Sequence, residues 1–202
     1  MTERPRLIVV AGPNGSGKTS ITEQILRHQW FDGCVYVNPD LIARDEYGDW
    51  NAPDAILKAA QRAQAIREEC LHARRSLAFE TVFSAPDKLD FLQAAHHAGF
   101  FIRIFFVGTD HPAINASRVA HRVLEGGHDV PIPKIISRYA RSIAQCGPAA
   151  LLADRCYVYD NSVDRADPHL IFRTVNGAIV KTYGDIRAWA QPLFDSLPHA
   201  AE

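Results

Sequence analysis

The run from Gly12 to Thr19 combines three glycines, a lysine and a hydroxyl in the pattern G-x-x-x-x-G-K-[ST]. The glycines let backbone N–H groups point inward, where they form a nest for an anion. A helix that begins near Lys18 would aim the positive end of its dipole at the same anion. Lys18 would bridge the β- and γ-phosphates of a nucleotide, and the Thr19 hydroxyl would ligate Mg²⁺. The pattern predicts binding of ATP or GTP by Gly12, Pro13, Asn14, Gly15, Ser16, Gly17, Lys18, Thr19 and Ser20.

The surroundings of this loop agree with that prediction. The apolar run Leu7–Ala11 is typical of a parallel strand covered on both faces, and a helix is predicted from Thr19 to His28. A strand before the loop and a helix after it are the context in which the pattern binds phosphates. A glycine-rich turn with an incidental lysine is the alternative, and it does not require this context.

Other motifs narrow the class of nucleotide-binding protein. The N/T-K-x-D pattern that GTPases use to recognise their base is absent. The apolar strand Phe100–Val107 is followed by Gly108-Thr109-Asp110, whereas a motor ATPase would have Asp-Glu there. A small-molecule kinase needs only an acceptor pocket, a base and mobile arginines that close over the transferred phosphoryl group.

Asp40 is the candidate for the base. It follows the predicted strand Val35–Val37 in the sequence Asn38-Pro39-Asp40, at the sheet edge where ligands of α/β folds collect. Its carboxylate could accept the proton of an acceptor hydroxyl. The alternative is that Asp40 caps a helix that starts at Leu41, and the spacing alone favours neither.

Glu80 and Thr81 come at the end of another predicted strand, Ser76–Glu80. Carboxyl ends of parallel strands share one edge of a sheet, so these residues should lie on the same side as Asp40. A carboxylate there suggests a role in binding the acceptor or Mg²⁺. The alternative is that both residues simply begin a loop.

Four arginines form the chain's basic cluster. Arg118 and Arg122 share a helix face at spacing i, i+4, and Arg138 and Arg141 do so at i, i+3. Two arginine faces joined by a glycine-containing turn suit a lid that closes on phosphates, because guanidinium groups match phosphate geometry and stay charged. A solvated helix face is the alternative for any one of them. We include Arg138 and His128, from the turn, among the candidate acceptor-binding residues.

The elements that must position these residues alternate along the chain. The alternation predicts an α/β fold, namely a P-loop NTPase three-layer sandwich with a mainly parallel central sheet, helices on both faces and a C-terminal β-hairpin. We expect a single domain over residues 1–202, with a lid-like helical segment at about 112–146. The remaining predicted elements are helices Pro53–Arg75, Pro86–Ala98, Pro112–Leu124 and Pro133–Gln145, strands Tyr157–Asn161, Leu170–Val175 and Ile179–Tyr183, and a terminal helix.

The long helix from Pro53 to Arg75 is predicted to be amphipathic. Its apolar residues recur at helical spacing, so one side should face the core. That side is predicted to carry Ile56, Leu57, Ala60, Ala63 and Ile66.

Composition excludes several classes of protein. The 202 residues are 47% hydrophobic and 22% charged with a net charge of -1, which is ordinary for a globular protein and argues against a nucleic-acid partner. No apolar run approaches the roughly 18 residues of a membrane span, and no signal peptide is apparent, so we expect no membrane association and a cytoplasmic location. The four cysteines are far apart, which predicts reduced thiols. The histidines lack metal-ligand spacing and should cap helices or face solvent.

Five motifs in order, G-P-N-G-S-G-K-T, N-P-D, F-E-T-V-F-S, R-V-x-x-R-V-x-x-G-G-H-D-V-P and Y-D-N-S, resemble the zeta-toxin family of P-loop kinases, in its compact branch. The resemblance spans roughly Leu7 to Ser162. It implies that Asp40 is the general base, that Glu80 and Thr81 belong to the acceptor pocket, and that Arg118, with Arg122, neutralises the γ-phosphoryl group. The turn at residues 126–128 departs from the best-known toxins, which leaves the identity of the acceptor open.

This family phosphorylates the sugar 3′-hydroxyl of UDP-N-acetylglucosamine. The resemblance therefore implies an ATP- and Mg²⁺-dependent kinase that acts on a nucleotide-sugar, and a separate antitoxin protein as a partner. Other acceptors, such as NAD or a polynucleotide end, would keep the fold. A regulatory ATP-binding module with little transfer activity is the non-catalytic alternative.

Overall fold

The computed structural model describes residues 4–48, 52–127 and 129–200. The strands are β1 (Arg6–Ala11), β2 (Val35–Val37), β3 (Leu77–Thr81), β4 (Phe101–Gly108), β5 (Arg155–Asp160), β6 (His169–Val175) and β7 (Ala178–Thr182). The helices are α1 (Lys18–Leu26), α2 (Pro39–Tyr47), α3 (Pro53–His72), α4 (Asp87–His97), α5 (Pro112–Leu124), α6 (Ile132–Leu152) and α7 (Gln191–Asp195). A 3₁₀ turn at Gln29–Phe31 follows α1.

All seven strands form one sheet in the order β2-β3-β1-β4-β5-β6-β7. The first five strands in this order are parallel, and β6 and β7 are antiparallel to their neighbours. The predicted mainly parallel sheet, with β4 at its centre and a hairpin at its C-terminal side, is confirmed. The hairpin turns at Asn176 and Gly177, whose φ angles of 49° and 79° give the left-handed pair that a two-residue turn requires.

Helices cover both faces of the sheet, but unequally. On one face, α3, α4, α6 and α7 enclose the larger core, which contains Phe79, Phe100, Phe106 and Phe172. On the other face, α1 and the 3₁₀ turn cover a smaller cluster around β1 and β4. Strands covered on both sides need apolar residues at successive positions, which explains the continuous apolar runs in β1 and β4.

Helix α3 presents a different side to the core from the one predicted. The expectation that Ile56, Leu57 and Ala60 face inward is wrong, since Ile56 and Leu57 are 38% and 59% exposed and Ala60 is exposed as well. The buried side of α3 is one of small residues, along which the helix backbone can approach the sheet closely; Ile66 lies at its margin, packed against the core. The buried residues of α3 are Ala55, Ala59, Ala63, Arg67 and Cys70.

Helix α6 is longer than the predicted Pro133–Gln145, because it continues through Gly147 and Pro148 to Leu152. A proline normally breaks a helix by removing an N–H and crowding the preceding turn. Here the cost is offset by burial of the last turns, since Cys146, Ala149 and Ala150 are 0–1% exposed in the larger core. The lid-like segment is therefore continuous with a core helix.

The remaining expectations can be checked against the same residues. His111 caps α5 by accepting a hydrogen bond from the backbone N–H of Ala113, as predicted for a capping histidine. The four cysteines are free thiols, and three of them are buried. Over the described ranges, no helix is both long and apolar enough to cross a membrane.

The segment after β7 packs against the end of the sheet through Trp189. The indole Nε1 donates a hydrogen bond of 2.8 Å to the carboxylate of Asp160, and the ring lies directly over Gly108. Asp160 is 4% exposed and also accepts a 2.6 Å bond from the Ser162 hydroxyl. The C-terminal segment is thereby fastened to the carboxyl ends of β4 and β5.

This packing predicts the effect of adding one methyl group. A Cβ at Gly108 would lie 2.1 Å from Cη2 of Trp189, so Gly108→Ala must displace the indole. We expect a loss of about 1–3 kcal/mol in the free energy of unfolding, measured by urea denaturation. Gly184→Ala is the control, because its nearest neighbour would be His169 Nε2 at an ordinary 3.4 Å. Equal stabilities of the two variants would contradict the packing described.

Candidate active site

The phosphate loop joins β1 to α1, as predicted, and its conformation requires glycine. Gly15 and Gly17 have φ angles of 74° and 90°, in the left-handed region that side chains disfavour. A Cβ at Gly15 would lie 2.5 Å from the carbonyl oxygen of Asn115, and one at Gly17 would lie 2.1 Å from Nδ2 of Asn161. The loop is therefore closely packed against two other elements of the fold.

Those two asparagines also hold the loop by hydrogen bonds. Asn115 Nδ2 donates to the carbonyl of Asn14 at 2.6 Å, and Asn161 Nδ2 donates to the carbonyl of Ser16 at 2.8 Å. Asn115 is itself oriented by the Thr109 hydroxyl, which donates to its Oδ1. Both asparagines are buried, and both bind loop carbonyl groups rather than loop N–H groups.

Lys18 lies at the centre of the site. Its ammonium donates to the carbonyls of Gly12 and Pro13, both at 2.9 Å. Burial lowers the pKa of Lys18, the charge of Glu80 opposes this shift, Arg122 adds to it and Asp40 opposes it, and the net pKa is about 8. Lys18 thus interacts electrostatically with a carboxylate from β3, a carboxylate from α2 and a guanidinium from α5.

Several polar atoms of the loop suit a phosphate and a metal ion. Asn14 Oδ1 and Ser16 Oγ are buried without a hydrogen-bond partner among the described residues. Thr19 and Ser20 lie exposed in the first turn of α1, where the helix dipole favours an anion. A hydroxyl oxygen is a ligand that Mg²⁺ accepts alongside phosphate oxygens. The residues present therefore fit a magnesium nucleotide.

Asp40 is not a helix cap. Helix α2 begins at Pro39, and the side chain of Asn38 caps it by accepting from the backbone N–H groups of Asp40 and Leu41. The capping alternative for Asp40 is wrong because the helix starts two residues earlier than the sequence suggested. The Asp40 carboxylate is exposed at the start of α2, within electrostatic range of Lys18.

Glu80 is held by a network that the sequence did not reveal. It lies at the penultimate position of β3 and accepts a 2.9 Å hydrogen bond from the Tyr36 hydroxyl, which in turn accepts one of 3.2 Å from Asn38 Nδ2. Burial and the charge of Glu80 raise the pKa of Tyr36, so the phenol stays a donor. Tyr36 and Asn38 also line a polar cleft of about 250 Å³ beside α2, together with Leu41, Ile42, Asp45 and Glu46.

Thr81 belongs to the same strand end but has a structural contact. Its Oγ1 accepts a 3.1 Å hydrogen bond from the N–H of Phe83, and its carbonyl accepts from the N–H of Gly12 at 3.3 Å. Phe83 is buried with a positive φ of 58°, a conformation that costs free energy in a bulky residue. Thr81 therefore connects the end of β3 to the phosphate loop.

The lid arginines lie in different environments. Arg118 donates to the carbonyls of Asn161 and Val163 at 2.8 and 3.2 Å, so its guanidinium is directed at the segment after β5. Arg122, one turn later, is exposed and is the arginine whose charge reaches Lys18. Arg138 is half-buried on α6 and is not among the charges that shift Lys18, and His128 lies outside the described residues.

Helix α6 is fastened to the sheet beside this site. The Tyr139 hydroxyl donates to the carbonyl of Thr109, and the Ser142 hydroxyl donates to the carbonyl of Val82 at 2.6 Å. Burial raises the pKa of Tyr139 to about 12, which keeps the phenol protonated. These bonds connect α6 to the ends of both β4 and β3.

The strand order, the glycine loop and the helices on both faces define a kinase-like P-loop phosphotransferase fold. The zeta toxin family profile matches residues 1–161, and the chain belongs to that family. A comparison with curated protein sequences gave no significant match.

Solved structures with similar folds include toxin–antitoxin proteins. The PezAT system of Streptococcus pneumoniae matches with a TM-score of 0.58 and 16% identity over 85% of this chain and 72% of that chain. The AvrRxo1-ORF1:AvrRxo1-ORF2 complex with ATP matches with a TM-score of 0.67 and 16% identity, over 97% of this chain and 64% of that chain. The Pnkp1/Rnl/Hen1 RNA repair complex matches with a TM-score of 0.53 and 18% identity, over 72% of this chain and 46% of that chain.

The lowered pKa of Lys18 predicts proton uptake when a nucleotide binds. At pH 8, about half of the Lys18 side chains are neutral in the free protein. A phosphate beside the amine favours the ammonium form and raises its pKa, so binding should take up about 0.5 proton at pH 8 and about 0.1 at pH 7. Titration calorimetry with ATP in buffers of different ionisation enthalpy measures this uptake.

Lys18→Arg is the matched control, because a guanidinium stays charged throughout this pH range. Its uptake at pH 8 should fall to the background given by the nucleotide itself. Equal proton uptake by the variant and the parent protein would show that Lys18 is fully protonated before binding.

Proposed function

We propose that this chain is an ATP- and Mg²⁺-dependent kinase that transfers the γ-phosphoryl group to a hydroxyl of a nucleotide-sugar such as UDP-N-acetylglucosamine. The observation that carries the proposal is the set of charges around Lys18. The phosphate-loop lysine is within electrostatic range of Asp40 and Glu80 on the acceptor side and of Arg122 on the lid side. A transfer site needs this combination of a phosphate clamp, a base and a mobile cation.

In this proposal, the phosphate loop binds the nucleotide. Its backbone N–H groups and the first turn of α1 hold the phosphates, and Lys18 exchanges its two carbonyl partners for β- and γ-phosphate oxygens. Thr19 would hold Mg²⁺, which would withdraw charge from the phosphate oxygens. The AvrRxo1 complex, whose structure was determined with ATP, supports ATP as the donor.

In this proposal, residues at the ends of β2 and β3 bind the acceptor and remove its proton. The acceptor oxygen forms a bond to the γ-phosphorus, the bond to the β,γ-bridging oxygen breaks, and ADP leaves with that oxygen. Asp40 takes the proton of the acceptor hydroxyl. Glu80, oriented by Tyr36, accepts a hydrogen bond from the acceptor, and Thr81, Arg138 and His128 complete the proposed acceptor set.

The two lid arginines have separate roles in this proposal. Arg122 neutralises the transferred phosphoryl group, since its charge already reaches Lys18. Arg118 orders the segment after β5, which lies next to the loop because Asn161 holds Ser16. That segment is the side on which the nucleoside of ATP would lie. The similarity to the PezAT toxin–antitoxin system supports a separate antitoxin protein as a partner, and we infer a cytoplasmic location.

A substrate screen tests the proposal. The protein is incubated with Mg²⁺, ³²P-labelled ATP and single acceptors, including UDP-N-acetylglucosamine, NAD and oligonucleotides with free ends, and products are separated by chromatography. Labelled UDP-N-acetylglucosamine supports the proposal. Label on NAD or an oligonucleotide changes the acceptor but keeps the kinase, whereas free phosphate alone indicates a regulatory ATP-binding module.

Asp40→Asn separates transfer from binding. Loss of a general base should lower kcat about 10²–10⁴-fold, while the dissociation constant for ATP changes less than about twofold, because the amide keeps the shape of the site. Asp90→Asn, at an exposed position in α4, is the control and should retain full activity. Substantial transfer by Asp40→Asn would remove Asp40 from the role of base.

The arginines make a second, independent prediction. Arg122→Ala should lower kcat about 10²–10³-fold, as expected for loss of one charged group at the transition state. Arg118→Ala should mainly raise KM for ATP, because its contacts are to the segment beside the loop. Steady-state kinetics measure both. The opposite pattern, with kcat lost in Arg118→Ala alone, would reverse the two roles.

A further inference from the structure

One face of the sheet continues beyond the helices that cover it. The smaller cluster, on the side of α1, contains no side chain of β6 or β7. Strand pairing places Arg155 beside Arg103, and places Arg173 between Tyr157 and Lys181. Tyr159 and Tyr183 lie on the same side, since Tyr183 contributes to the raised pKa of Tyr159 and Lys181 lies 5.0 Å from the Tyr183 ring. We name this surface the open basic face; it comprises Arg155, Arg173, Lys181, Tyr159 and Tyr183, and at its inner edge Arg103 and Tyr157, which lie against the ring of Trp30.

Within the described part of the chain, the cations of the open basic face have no carboxylate partners. None of its arginines or its lysine forms an ion pair with a described residue. Burial lowers the pKa of Arg103, and the charges of Arg155 and Arg6 lower it further, so like charges crowd together here. The Nε atoms of Arg103 and Arg173 are buried without a hydrogen-bond partner among the described residues. A solvated sheet would normally mix both signs of charge to relieve this repulsion.

The tyrosines add further hydrogen-bond donors. Burial raises the pKa of Tyr159 to about 12, and the nearby Tyr157 and Tyr183 contribute to the shift. The Tyr159 phenol therefore stays protonated at neutral pH. In β4 to β7 the only carboxylate is Asp160, and it is turned to the other face, where it binds Trp189. The open basic face thus offers guanidinium, ammonium and phenol groups across four strands, roughly 14 Å.

We propose that the open basic face binds a single strand of nucleic acid, separately from the phosphotransfer site. A phosphodiester backbone presents only acceptors, which match a surface made of donors. A protein segment would also bring backbone N–H groups, and the strand side chains here offer no carboxylate or amide to receive them. Arginines interleaved with tyrosines on a sheet face suit unpaired bases as well, because both side chains can stack on them. The net charge of -1 does not reveal this site, because the carboxylates that balance its positive charge lie elsewhere on the chain.

Fluorescence anisotropy with fluorescein-labelled 12-nucleotide RNA and DNA of mixed sequence tests the proposal. Arg173→Gln with Lys181→Gln should weaken binding about tenfold at 100 mM salt and reduce the slope of log affinity against log salt by roughly 1.4. Lys58→Gln with Arg75→Gln removes the same charge from exposed sites on other surfaces and should leave affinity within twofold. Lys181→Gln alone, at an exposed position that does not support the fold, should weaken binding about threefold.

Calorimetric ATP binding by each variant verifies that it is folded and separates this site from the catalytic one. Equal oligonucleotide affinity in both double variants would overturn the proposal, as would the absence of oligonucleotide binding by the parent protein. Displacement of the oligonucleotide by poly-L-glutamate at equal charge concentration would indicate a site for acidic protein segments instead, and would also overturn it. Labelling of oligonucleotide ends in the substrate screen is not required by this proposal.

Discussion

The close packing of the phosphate loop is the constraint on which the rest of the site depends. The loop contacts elements distant in sequence at positions where only glycine fits, with Gly15 against Asn115 and Gly17 against Asn161. The same asparagines bind the loop carbonyls and so occupy none of the loop N–H groups. Since α5 and the end of β5 supply these asparagines, the parallel order of β1, β4 and β5 is a condition for the loop's shape.

The close packing of the loop in turn determines the protonation state of Lys18. An ammonium held against two carbonyls in a largely buried position is costly, and its pKa falls to about 8. Carboxylates from α2 and β3 partly compensate for this cost and Arg122 adds to it, so desolvation of the ammonium is only partly balanced in the free site. A nucleotide brings the negative charge that relieves this imbalance. The electrostatics of the ligand-free site therefore favour the binding of a nucleotide.

Local patterns were sufficient to predict the loop, the strand ends and the parallel sheet. The contacts that hold the site were not predictable in this way, because Asn14 and Asn115 are 101 residues apart, and Ser16 and Asn161 are 145 apart. Tyr36 carried no signal, since a tyrosine in a short strand resembles any core residue. The long α6 was missed at Pro148, where tertiary burial outweighs local propensity. In α3, small residues were favoured over large ones on the buried side for the same non-local reason.

The most direct test of this account is the titration of Lys18 itself. Heteronuclear NMR of the ¹³Cε-labelled lysine in the nucleotide-free protein should give a pKa of about 8. In Glu80→Gln the pKa should fall further, because the carboxylate of Glu80 stabilises the ammonium. An ordinary lysine pKa near 10.5 in both proteins would contradict the central claim, since Lys18 would then be neither confined by the loop nor coupled to the acceptor side.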